Sequence, residues 1–90
     1  MNDWQNKFEP HILKRGIGYY EKGRGGQVEE IGFRFSTLVY GSEEYDVRIY
    51  MEKDEVVAMV CTCPYAEDGK NCKHMTVVLT AISRGEEGRQ

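Results

Sequence analysis

The sequence predicts an α+β fold: an N-terminal helix, an antiparallel β-meander of three to four strands, a cysteine-rich loop and a C-terminal helix packed on the sheet. Three observations carry this expectation. Tyr45, Val47, Ile49 and Met51 alternate with Asp46, Arg48 and Tyr50, the period-two mark of a half-buried strand. Met75, Val78, Leu79 and Ile82 fall at i, i+3, i+4 and i+7, the stripe of an amphipathic helix. Between those segments, all three cysteines and one of the two histidines lie within fourteen positions, 61 to 74.

The first element is a helical lead-in over residues 8–26. Pro10 suits a first helical turn, and Phe8, Ile12, Tyr19 and Tyr20 share a broad apolar stripe. Gly16 and Gly18 each weaken a helix by about 1 kcal/mol against alanine. They either allow close backbone packing or leave the segment partly helical. Gly23, Gly25 and Gly26 end it. His11 faces solvent.

The strands occupy residues 27–63. A short strand is expected near 27–32 and another near 34–40. Gly41-Ser42, with Glu43 and Glu44, makes a turn. The alternating strand over 45–51 follows, then the turn "EKDE" and a return strand over 56–63, rich in β-branched residues. A sheet of this kind is covered on one side. The last helix runs over 72–83, and residues 84–90 form a frayed tail. No internal repeat or low-complexity linker divides the chain, so residues 1–90 read as a single domain.

The cysteines decide the chemistry. Cys61 and Cys63 share one face of an extended strand, with Cα atoms roughly 6.6 Å apart in ideal geometry. Two sulfurs on one tetrahedral zinc lie about 3.8 Å apart, so the strand must bend, and Pro64 is placed to end it. Cys72 and His74, after the eight-residue stretch "PYAEDGKN", reach back to the same ion. Three thiolates and one imidazole form a closed set suited to one structural Zn²⁺. Other readings of the same residues are a buried small hydrophobe at Cys61, a strained Cys61–Cys63 disulfide, and a Cys72–His74 thiol and base, which lacks a third orienting group.

The spacing Cys-x-Cys, eight residues, Cys-x-His resembles the SWIM zinc finger. Cys61, Cys63, Cys72 and His74 match its pattern in full, and Pro64 after the second cysteine is typical of it. The stretch "KRGIGYYEKGRGGQVEEI" is similar to the lead-in of bacterial members. On that resemblance, residues 61–83 hold the finger and its helix. It implies a noncatalytic zinc-binding module of the kind found in bacterial SWI2/SNF2-type helicase-like ATPases, Mutator-like transposases and plant far-red-response transcription factors, binding DNA or proteins. The partner is then a protein, DNA or both, possible association with a SWI2/SNF2-type ATPase included. A closed four-ligand zinc offers no open position for substrate or activated water, so no enzyme activity and no small-molecule substrate are expected.

Charge leaves two functional readings. The formal net charge is −3, from 12 basic and 15 acidic residues. Binding Zn²⁺ through three thiolates makes it one unit more negative, which disfavours a simple polyanion trap. This favours a protein-docking module. Yet Lys14, Arg15, Lys22 and Arg24 interleave with Tyr19 and Tyr20, and Lys70 and Lys73 flank the ligand loop. Such a set can contact phosphates and stack on bases; ordinary solvated cations and core tyrosines are the plainer alternative. No apolar run approaches a membrane span of about 18 residues. The polar "MNDWQNKFEP" lacks a secretion-signal core, and the odd cysteine count fits a disulfide framework poorly, so a cytoplasmic protein is expected.

Overall fold

The computed structural model describes residues 4–53 and 55–84. A 3₁₀ turn at Trp4–Lys7 leads into helix α1, Pro10–Glu21. Four strands follow: β1 (Glu29–Ile31), β2 (Arg34–Tyr40), β3 (Glu44–Glu52) and β4 (Glu55–Cys61). They form one antiparallel sheet in the order β1-β2-β3-β4. A short helix, α2 (Pro64–Glu67), and a longer one, α3 (Lys73–Ser83), complete the chain. The α+β architecture expected from the sequence is the one observed.

Several boundaries differ from the expectation. The lead-in helix covers Pro10–Glu21 rather than 8–26. Pro10 cannot donate an intrahelical bond, so it starts the helix, and Gly23, with φ of 73°, takes the left-handed conformation that ends it. Phe8 lies before α1 but is buried, and it meets Trp4 edge-on at 6.2 Å, so both aromatics are core. The strand expected over 27–32 is only Glu29–Ile31. Residues 24–26 instead bond the far half of β2, Tyr40 N–H to the Arg24 carbonyl and Gly26 N–H to the Leu38 carbonyl, each at 2.8 Å. The return strand stops at Cys61, and Pro64 opens α2 instead of a plain loop. The last helix begins at Lys73 with Cys72 as its N-cap. In the expected tail, Arg84 caps α3; residues 85–90 lie outside the described residues.

The alternation in β3 is realised in its middle and far half, while Tyr45, Asp46 and Tyr50 are all half-buried. Val47, Ile49 and Met51 are buried while Arg48 and Glu52 are exposed. Register carries the pattern outward: Val39 pairs near Tyr45, Val47 faces Cys61, and Ile49 faces Met59.

The larger difference concerns α3. Of the expected stripe, Met75, Val78 and Leu79 are buried and Ile82 is half-buried, but His74, Thr76, Val77 and Thr80 are buried as well. The sheet covers one side of α3 and α1 covers the other. Gly16 makes that second contact possible. A Cβ at this position would lie 2.6 Å from Thr76 Cγ2 and 2.8 Å from the Lys73 carbonyl oxygen. The helices therefore cross at a distance that only a missing side chain allows. Gly18 has open space at the corresponding point.

Candidate metal centre

Three elements bring the four candidate ligands together. Cys61 is the last residue of β4, opposite Val47. Cys63 is the extended N-cap of α2, with ψ of 156°. The bend between them brings together two thiols that an ideal strand would hold apart. Cys72 is the extended N-cap of α3, and His74 lies in that helix's first turn. Asn71 Nδ2 donates to the Lys7 carbonyl at 2.8 Å, tying the intervening loop to the N-terminal turn.

The ligand atoms of Cys61, Cys63, Cys72 and His74 all lie within 4.8 Å of one another, and all four residues are buried. The three sulfurs are free thiols, not disulfides. The electrostatics suit a cation. Cys61 is raised in pKa, first by the hydrogen bond it shares with Cys72 and then by burial. Burial likewise pushes the Cys63 thiol up. Cys72 is pulled down to about 4, first by donation from Cys61, with help from His74 and the Met75 backbone N–H, against the opposing effect of burial. Several sulfurs crowded in a low-dielectric space cannot all ionise without a compensating positive charge. A divalent ion supplies that charge, and a Cys₃His set at this spacing is the donor chemistry of structural zinc. The site holds one structural Zn²⁺.

Aromatic rings enclose the imidazole. Tyr45 stacks on His74 with centroids 4.5 Å apart and planes at 31°. Tyr19 approaches edge-on at 6.0 Å. Neither contact was read from the sequence, because each joins residues far apart in the chain.

The candidate surface residues are distributed less simply. Lys14, Arg15, Lys22, Arg24 and Lys70 are exposed, and Lys73 is half-buried. Tyr19 carries both the Arg24 guanidinium, at 5.1 Å from its centroid, and the Lys73 ammonium, at 5.3 Å. Lys73 thus joins the α1 segment, while Lys70 sits 5.2 Å over Tyr65 instead. Tyr20 is half-buried and carries Arg84 at 5.1 Å. Both tyrosines already hold cations of their own chain, which limits them as platforms for bases. His11 is exposed, 3.6 Å from Glu9.

The profile of the SWIM zinc finger matches residues 45–83. No significant match was found among curated proteins or solved structures. The matched segment contains β3, β4, α2, α3 and all four ligands, so residues 45–83 of this chain are a SWIM zinc finger.

Proposed function

We propose that the chain is a noncatalytic module in which zinc holds a sheet and a helix together so that the outer sheet face can dock a protein partner. One observation carries this reading. The sheet face turned away from α3 leaves Leu38, Tyr40 and Val60 exposed, and Ile31 and Phe33 extend the apolar surface at the β1–β2 hairpin, with Phe33 at 70% exposure. The Asp46–Arg48 ion pair lies between Leu38 and Val60 on this face, and exposed apolar surface interleaved with polar groups marks contact sites. The closed ligand set argues against hydrolytic chemistry at the metal. Resemblance to fingers of SWI2/SNF2-type ATPases suggests a partner within a DNA-associated machine. Among the described residues, no helix is long and apolar enough to cross a membrane.

A photo-crosslinking residue placed at Val60 in cells should capture one discrete partner. Leu38→Asp should abolish the capture while zinc content stays unchanged. Equal capture of that partner from position 14 would defeat the proposal.

A second reading, nucleic-acid binding, has its own support in charge segregation. Residues 7–26 and 62–84 contain eight basic and four acidic residues, whereas 27–61 contain three basic and eight acidic. Arg15 and Tyr19 lie at i and i+4 on one flank of α1, and Lys22 is its C-cap. Fluorescence anisotropy with short single- and double-stranded DNA separates the readings. Binding that weakens steeply with salt and is lost in Lys14→Glu/Arg15→Glu would replace docking with phosphate contact as the function.

A further inference from the structure

The two ring nitrogens of His74 face different surroundings. Nδ1 lies 3.7 Å from Cys61 Sγ. A tetrahedral zinc with Zn–S near 2.3 Å and Zn–N near 2.0–2.1 Å has a sulfur–nitrogen edge of about 3.6 Å. The observed separation is thus that of two ligands sharing an ion. Spacing supports the same nitrogen. Cys72 and His74 are two residues apart at the start of one helix, so a short reach is needed, and Nδ1 is the ring nitrogen nearer the backbone.

Nε2 points to the other side of the ring, towards Gly41. A Cβ at Gly41 would be 3.5 Å from Nε2 and 3.5 Å from the Tyr19 hydroxyl. Both polar atoms therefore flank Gly41, whose missing side chain leaves the space beside them unfilled. A water held between them, clear of the Gly41 Cα, would join the two groups with little loss against a direct hydrogen bond.

We infer that His74 binds zinc through Nδ1, and that Tyr19 is a positioning residue whose hydroxyl accepts the Nε2–H bond relayed through one water. The inference rests on the zinc assignment. A partner on the second nitrogen fixes the tautomer and the ring plane of a metal-bound histidine. Tyr45 restrains the same ring by stacking. Tyr19 belongs to α1 and Gly41 to the β2–β3 turn, both outside the matched segment 45–83. The finger thus draws part of its outer shell from the segment of the chain that the family profile does not cover.

The test uses the full chain, ¹⁵N-labelled, with one equivalent of Zn²⁺. Long-range ¹H–¹⁵N correlations should show His74 metallated at Nδ1 and protonated at Nε2, with exposed His11 as an internal reference. The opposite pattern, Nε2 bound and Nδ1 protonated, would overturn the inference while leaving zinc binding intact. Failure to take up zinc at all would overturn the zinc assignment with it.

Tyr19→Phe keeps the ring and removes only the hydroxyl. It should weaken zinc affinity about tenfold in chelator competition and speed exchange of the His74 Nε2 proton. A merely structural ring would leave that exchange rate unmoved. Unchanged affinity and exchange in Tyr19→Phe would remove Tyr19 from the role.

Discussion

Helix α3 and strand β4 both deliver zinc ligands, yet they live in opposite environments. From His74 to Thr80 every residue of α3 is buried, enclosed by the sheet on one side and α1 on the other. β4 is an edge strand with one strand neighbour, β3, and Val57 and Val60 are 57% and 48% exposed. α3 has packing on both sides to hold it. β4 has half a ladder and little cover, so its end at Cys61 depends on the metal. Zinc here fastens a weakly held element to a strongly held one, which is where a single tie has most effect on a thin core.

The first way to break the comparison is to remove the tie. Chelation, or Cys63→Ala, should abolish the native fold of the finger region. Structural zinc in small peptides contributes an apparent ~10–16 kcal/mol near neutral pH, comparable with a whole domain's stability of ~5–15 kcal/mol. Circular dichroism and melting of the chelated protein check this; an unchanged melting point would reject it.

Acid should act in the same direction. Zinc needs thiolates, while Cys61 and Cys63 hold their protons above the ordinary thiol range. Protons therefore compete with the ion, and affinity should fall as pH falls. Competition titrations across pH 6–8, a window of roughly neutral values chosen around the operating range of thiol ligands, would show a flat profile if this were wrong.

Next in size is the packing of α3. Leu79→Ala should destabilise by ~2–5 kcal/mol, since it empties a fully buried position. Val60→Thr on the outer face of β4 should change stability by only ~0.5 kcal/mol or less. Denaturant titration of the zinc-loaded pair measures the contrast, and equal losses would mean that β4 is as enclosed as α3.

The smallest effects sharpen the helix crossing. Gly16→Ala should cost ~1–3 kcal/mol, because the new methyl meets Thr76 and the Lys73 carbonyl. Gly18→Ala, facing open space, should stabilise by about 1 kcal/mol through helix propensity. Thermal melts that moved the same way in both variants would show that α1 does not rest on α3 at Gly16.

Elements with a local signature were legible beforehand. Alternation exposed β3 and spacing exposed the stripe of α3, and Pro10 signalled a first helical turn although the expected lead-in began at residue 8. The ligands were legible because four residues in two tight pairs have few uses other than one ion. The burial of α3 on both sides from His74 to Thr80 was not, because Thr76 and Val77 lie off the expected stripe and meet Gly16 of α1 and Gly25 beyond it only in the folded chain. The two glycines of α1 showed the same limit. Their sequence contexts look alike, and only the neighbouring helix distinguishes a crossing point from an open one.

Taken alone, the sequence determined the donor set, the order of the two longer helices and the strands, and the periods that decide which faces turn inward. These are properties of residues near one another along the chain, set by backbone geometry and ligand chemistry. The tertiary structure alone decided which surfaces meet: α1 over α3, Tyr19 and Tyr45 against His74, and Arg24 and Lys73 on Tyr19. Those contacts join positions far apart in the chain, and their closeness follows from the packing of layers, not from any local preference.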